Sequence, residues 1–424
     1  MSLLIEQDRS GYHTRLPTLA DVKDTERVRR LQNTLIGILQ QRPMSVAEWM
    51  QYLLHSPDGY YANRGIRKDF YTPSELFPGI ADCYESHVRS VWDQLGRPSF
   101  FPIYELGPGN GTFAAAFLTV ASKDHDFHKA VEYHLVEQSP LLVKRQKQLL
   151  QQLPSSLSKV TWHEADLTNF PFPHLSTGAV ISFELHDSLP HRVVVKRKGK
   201  LMEVFICIRN NQIEEIEGSP EEETSKYLAK YPEWVDSLPE GRHIPQNILG
   251  LKLQEKLAQR LQNGTIVTVD YGYQLPYVPR NPFRWMSECE QVYYGDNFLP
   301  LWIILAGLAD NSCLVDFSLL GLPTGRAGFS QVLVEQRNFL ERFGIKDTVT
   351  RYARELVARN TANQQRDSNS LQLFFKNIDN LLRAAPDWLV FTETKGVNAI
   401  LPRYPYFPND WHCDLAANYI GSPI

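Results

Sequence analysis

The stretch Tyr104-Glu105-Leu106-Gly107-Pro108-Gly109-Asn110-Gly111-Thr112 decides how the fold is read. A short apolar run, Phe100 to Leu106, leads into it, and a helical pattern from Thr112 to about Ser122 leads out. Glycines between a strand and a helix let the backbone turn sharply and approach a ligand with no Cβ in the way. Working outward, the same rhythm recurs. Tyr133–Val136 reads as a strand ending at Glu137, followed by a polar helix to about Leu153. Val160–His163 is a strand ending near Asp166, and Ala179–Phe183 is one ending at Glu184. A helix over Leu249–Leu261 then precedes the strand Thr265–Val269, which runs into Asp270-Tyr271-Gly272. Strands alternating with helices in this way predict parallel strands and right-handed crossovers, an α/β doubly wound sheet.

A glycine turn of this kind alone is a generic nucleotide-binding signal, or a tight structural turn. Two acidic strand ends sharpen it. Glu137 stands where a carboxylate accepts both ribose hydroxyls of an adenosine. Asp166-Leu167 follows the third strand, where it would meet an adenine amino group. Glu105 makes the turn itself acidic, which disfavours a pyrophosphate and suits a cofactor bearing a sulfonium and an amino group. The three together point to S-adenosyl-L-methionine rather than a nicotinamide dinucleotide. The helix start after Gly111 adds free N–H groups and a positive dipole end. The candidate cofactor residues are Thr72, Glu105, Gly107, Pro108, Gly109, Gly111, Thr112, Glu137, Gln138, Asp166, Leu167 and Glu184.

Upstream, apolar residues recur at helical spacing from Asp21 to Arg42, and Ser45 with Glu48 forms a capping box for a second helix. Pro57 to Pro78, rich in Gly, Pro, Tyr and Asp, predicts an ordered loop, and a helix follows from about Ala81 to Gly96. Residues 1–96 read as a helical N-terminal cap with a cofactor-closing loop, and 97–424 as the core. The core carries insertions at about 190–250, strands then helix, and about 274–310. After these come a strand at Leu314–Phe317, helices through Leu382, a strand at Trp388–Thr392, and a tail after Ile400 expected to pack. Phe298–Ala309 is expected to be a buried helix; its twelve residues are too few to span a membrane, and it would serve an interface between two copies.

The bulk composition narrows the classes. The 424 residues are 43% hydrophobic and 22% charged with net charge −4, so no general affinity for nucleic acid is expected. Five scattered cysteines without a CxxC pair predict no metal site and suit a reducing compartment; the cytosol is the expectation. The first residues lack the apolar core of a secretory signal.

Several of these motifs resemble the MidA family (DUF185) of class I methyltransferases over about Pro43 to Val397. They are GYY…KDFYTPSELF before the first core strand, Glu105 to Thr112, Glu184-Leu-His-Asp187-Ser-Leu-Pro190, Val269-Asp-Tyr-Gly272, Asp316-Phe317 and Thr394-Lys-Gly396. The resemblance implies a class I, Rossmann-like methyltransferase fold with a helical N-terminal cap and inserted substrate elements. Mitochondrial members of that family methylate a protein arginine. The chain departs from the pattern on the acceptor side: Phe183 replaces an Asn, His186 stands at a usually apolar position, and Asp310-Asn-Ser-Cys-Leu-Val-Asp316 lacks the family His. Those departures imply a different acceptor.

Methyl transfer asks only for alignment and, where needed, removal of a proton. Glu184, His186 and Asp187 are the catalytic candidates; the alternative readings are a capping or loop-bracing carboxylate for Glu184, a structural carboxylate for Asp187, and a solvent or core histidine for His186. Tyr71, Tyr271 and Asp310 are the candidate acceptor contacts, and Asp69 and Glu75 accompany Thr72 in the closing loop. The expectation is a methyltransferase acting on O or N of a small molecule or a protein side chain. The rival is a non-catalytic scaffold of the same fold, which would have no need of these acidic strand ends.

Overall fold

The computed structural model describes residues 25–63, 72–154, 160–210, 212–275, 277–278, 290–294, 297–299, 307–362, 368–384 and 388–398. Seven strands carry the central sheet: β1 Phe101–Leu106, β2 Val131–Glu137, β3 Val160–Glu164, β4 Gly178–Phe183, β5 Gly264–Tyr273, β6 Ser330–Glu335 and β7 Trp388–Lys395. Their spatial order is β3-β2-β1-β4-β5-β7-β6. The first five are mutually parallel, and β7 runs antiparallel to both β5 and β6. Val315–Asp316 adds a short parallel pairing at the end of β5.

Alternation along the strands explains why both faces are covered. Phe101, Ile103, Tyr133, Leu135, Ala179, Ile181, Val267 and Val269 join one buried cluster. Helices α2 (Ile80–Gln94), α3 (Thr112–Ala121), α6 (Gln336–Arg342), α7 (Ile345–Ala362) and α8 (Ser368–Asp379) complete that cluster. Tyr104, Leu106, Val136, Val180 and Ile266 point the other way and pack on Leu253 and Leu257 of α5 (Ile248–Arg260). Gly264 marks the tight junction of β5 with β4: a Cβ there would lie 1.9 Å from the Gly178 carbonyl oxygen, so only glycine admits the pairing.

The 190–250 insertion forms an antiparallel sheet of its own, from Arg192–Arg197, Lys200–Arg209, Gln212–Gly218 and His243–Gln246. Met44–Ser45 pairs with Phe205–Ile206 at its edge. One face packs on α1 (Thr25–Leu39) and on Val46, Trp49, Met50 and Tyr60 through Val193, Val195, Val204 and Ile206. Ser45 caps the helix Val46–Met50, accepting from Glu48 N, as the capping box predicts. The chain then winds as a π-turn, Gln51–His55, which ends at Ser56.

Three expectations change. Ser330–Glu335, inside the stretch expected to be helices through Leu382, is the strand β6. The segment after Pro57 is not all loop: Tyr60–Asn63 and Pro73–Leu76 are single helical turns. Phe298 and Leu299, expected to begin a buried helix, end the strand Asn297–Leu299, which pairs with 292–294. Residues 300–306 of that stretch, Asp69, Tyr71 and the tail after Ile400 lie outside the described residues.

Candidate functional site

The strand order reverses between β1 and β4, and the crevice outside the carboxyl ends of these strands is where such sheets bind ligands. A cavity of about 370 Å³ opens there. Its floor is the glycine turn. Gly107, Gly109 and Gly111 all hold positive φ, and Gly111 caps α3 from the left-handed region at +82°. A Cβ on Gly111 would also press on Gln146 at 3.1 Å. Gln146, wholly buried in α4 (Pro140–Leu150), donates to the Gly109 carbonyl at 2.8 Å and holds the turn from behind.

Glu105 enters the cavity from the end of β1 and is 2% exposed. Burial pushes its carboxyl up to about 8, against the pull of the Tyr133 phenol, which donates to Oε2 at 2.8 Å. Glu137 ends β2. Burial raises it to about 7, and the Ser139 backbone N–H donates to its Oε1 at 2.8 Å. Asp166 lies at the cavity rim with its carboxylate engaged by Thr168 and Asn169 of its own turn. Leu167 lines the cavity beside it. The turn carrying Thr72 and Glu75 closes over the floor, where the Asn110 amide donates to Glu75 Oε1 at 2.5 Å.

A second group of carboxylates sits across the cavity. Glu184 follows β4 with φ at +45°, and its backbone N–H donates to the Val269 carbonyl. Its carboxyl is held well above the ordinary range by burial and then by the charges of Asp270 and Glu75. Asp187 is raised likewise by burial and then by Asp270, Glu184 and Asp310. Glu184 Oε1 and Asp187 Oδ1 are buried with no hydrogen-bond partner. Asp270 braces the loop instead: its Oδ2 accepts from the backbone N–H groups of His186 and Asp187, and its Oδ1 from Tyr271 N. Asp310 accepts from the Tyr61 hydroxyl at 2.8 Å, and Tyr271 and Trp388 form an aromatic wall with ring centroids 5.3 Å apart.

The cavity thus brings together Thr72, Glu105, Gly107, Pro108, Gly109, Thr112, Glu137, Gln138, Asp166, Leu167, Glu184, Asp187, Tyr271 and Asp310. It does not bring His186 in. That side chain turns to a separate small void beside Asn247 and Cys313, its Nδ1 buried without a partner, and burial lowers it to about 4. A histidine so placed has no route to a reacting group in the main cavity, which removes the ground for its candidacy as a base. Gly111 shapes the turn without lining the cavity.

Sequence reasoning passed over His55 and Tyr61. Their rings stack with centroids 5.5 Å apart, and His55 Nδ1 lies 2.9 Å from the Gln138 amide nitrogen. Tyr61 belongs to the GYY motif, but nothing in that motif assigns it to the cavity, and no local motif announces His55, because both arrive from the N-terminal segment.

The residues present fit an adenosyl cofactor. Glu105 and Glu137 are buried carboxylates lining the cavity, Glu105 accepts a single hydrogen bond among the described residues, and the glycine turn leaves room between them. Residues 86–332 match the family model described as "Putative S-adenosyl-L-methionine-dependent methyltransferase". A relative from Drosophila melanogaster, named protein arginine methyltransferase NDUFAF7 homolog, mitochondrial, is 31% identical over 267 residues, 56% of this chain and 58% of that protein. The Mus musculus protein arginine methyltransferase NDUFAF7 is 26% identical over 346 residues, 74% of each chain. A crystal structure from Burkholderia thailandensis, bound to S-adenosyl-homocysteine, superposes with a TM-score of 0.70 at 22% identity, over 90% of this chain and 96% of that one, which shows a shared fold. The matched model spans more than half of the chain and all of the glycine turn, so the chain belongs to this family of S-adenosyl-L-methionine-dependent methyltransferases.

Proposed function

We propose that the methyl acceptor is the nitrogen of a cationic protein side chain, an arginine guanidinium, and that Glu184, Asp187 and Asp310 receive it. One observation carries this reading: Glu184 Oε1 and Asp187 Oδ1 are buried, lie in one acidic group with Asp310, and have no partner. Unpaired buried carboxylates are costly, and a guanidinium with five fixed N–H donors is the side chain suited to several at once. The names of the Drosophila and mouse relatives support it. The altered positions Phe183, His186 and Leu314, which stands where the family has His, support a partner other than that of the mitochondrial family members.

The adenosyl end would lie along Glu137, Gln138, Asp166 and Leu167, and the amino-acid end along Glu105, Thr72 and the glycine turn. The bound cofactor supplies a methyl group already activated by its sulfonium. The protein's part is to align the acceptor nitrogen and take its proton. Glu184 is placed for the second task by lining the cavity with Asp187 and Asp310; burial, and then Asp270 and Glu75, raise its affinity for a proton, and a cationic acceptor would favour its charged form. Among the described residues no helix is long and apolar enough to cross a membrane. The free buried Cys83, Cys207 and Cys313 suit a reducing compartment, the cytosol or an equivalent.

Incubating the protein with S-adenosyl-L-methionine and an arginine-containing peptide library, and mapping methylation by mass spectrometry, tests the reading. Methyl groups on arginine nitrogens are expected, lost in Asp310→Asn. Methylation confined to hydroxyls or carboxylates would refute it.

A further inference from the structure

One buried contact at the cofactor end has no role in the chemistry above. Tyr133 is wholly buried in β2, its ring 5.5 Å from that of Phe117, and its phenol donates to Glu105 Oε2 at 2.8 Å. The register explains the reach. Tyr133 lies opposite Ile103, so it stands diagonal to Glu105 on the same face of the sheet. Glu105 lines the cavity, and no other hydrogen bond is made to its side chain among the described residues, so Oε1 is left for whatever occupies the cavity. A carboxylate this buried with a single donor is short of partners. Tyr133 itself does not line the cavity.

We propose that Tyr133 is a positioning residue of the cofactor site: its phenol occupies Glu105 Oε2 and so aims Oε1 at the ammonium of the methyl donor's amino-acid end. The proposal rests on the reading of Glu105 as the carboxylate for that end. Phenylalanine at 133 would preserve the ring and its packing on Phe117 while freeing the carboxyl to rotate. The phenol also opposes the effect of burial on Glu105, so it helps the carboxyl to ionise when a cation arrives.

Calorimetry on the full chain with two probes separates positioning from mere structure. S-adenosyl-homocysteine carries the amino-acid end, and 5′-methylthioadenosine lacks it. Tyr133→Phe is expected to weaken S-adenosyl-homocysteine about tenfold, the worth of one hydrogen bond to a charged group, and to leave 5′-methylthioadenosine within about twofold. Added to Glu105→Gln, it should cause no further loss, because it acts through that carboxyl. Equal weakening of both probes, or none, overturns the role of Tyr133. If Glu105→Gln itself leaves S-adenosyl-homocysteine affinity unchanged, the reading of Glu105 falls and the proposal with it. Should Tyr133→Phe not fold, wild-type protein labelled at tyrosine Cζ serves. The Tyr133 resonance should move with S-adenosyl-homocysteine and stay with 5′-methylthioadenosine; no difference between the probes overturns the proposal.

Discussion

Glu184 holds φ at +45°, a region that costs a non-glycine residue roughly 1–3 kcal/mol, and it does so with a carboxylate oxygen buried and unpaired. Such a residue opposes stability, which is what a functional role would explain. Glu184→Gly should relieve the backbone and remove the carboxyl. The melting temperature is expected to rise by roughly 2 °C while turnover falls at least about a hundredfold. A variant less stable than the parent would assign Glu184 to the scaffold. The other buried carboxyls make a pH prediction. Burial raises Glu105 and Glu393 to about 8, Glu137 and Asp270 to about 7, and Asp316 to about 6. Each binds its proton more tightly folded than unfolded, so its stabilising contribution is full below the unfolded value and is lost as pH rises through the folded one. Thermal scans of cofactor-free protein should therefore show the melting temperature falling from about pH 5 to about pH 8. S-adenosyl-homocysteine should flatten the upper part of that decline, because an ammonium beside Glu105 favours its charged form. A melting temperature that climbs over this window would contradict the buried-carboxyl account.

Within the insertion, a charge group whose members differ in burial ties the inserted sheet to the start of the helix that follows it. Arg192 donates to Glu203, Glu221 and Glu223 at 2.8, 2.6 and 2.9 Å. Glu203 is wholly buried, whereas the other two side chains are nearly half exposed. Removing the guanidinium strands Glu203, so Arg192→Met should cost about 3 kcal/mol in denaturant unfolding, and Glu223→Gln less than about 0.5 kcal/mol. Equal costs would show that Glu203 is not the partner that matters. The turn Tyr60–Asn63 reaches the opposite way, from the N-terminal segment to Asp310. Tyr61→Phe keeps the stack on His55 and loses the bond to Asp310. Turnover should fall about tenfold with S-adenosyl-homocysteine affinity unchanged, read by kinetics and calorimetry together. Here the limits of sequence reading are physical. Tyr61 and Asp310 are 249 positions apart, and no local periodicity connects them. The pairing of Met44–Ser45 with Phe205–Ile206 is equally silent: two residues are too few to show alternation, and Pro43 only marks where a helix stops.

At the scale of the molecule, the parallel part of the central sheet was legible because most of its strands are short apolar runs ending at a charged residue, and the cavity opens at those ends, whereas the edge strand β6 was hidden in a stretch that reads as helix. That is why Glu105, Glu137 and Glu184 could be picked from sequence and found lining one cavity. Tyr133 and Gln146 could not. They read as ordinary members of a strand and a helix, and only packing shows that one holds a carboxylate and the other the glycine turn. His186 shows the opposite error: a titratable residue between two acidic candidates, turned by the brace of Asp270 into a separate void. The acceptor half drew residues from the N-terminal segment, from the loop after β4 and from 310–312, so composition and spacing revealed its acidity but not its convergence. The most direct test is single-turnover methyl transfer from S-adenosyl-L-methionine to arginine peptides, compared between wild type and Asp310→Asn at matched cofactor occupancy. The account predicts methylated arginine with the wild type, and at least a tenfold slower transfer with undiminished cofactor binding in the variant. Equal rates, or methylation of an uncharged acceptor in place of arginine, would contradict it.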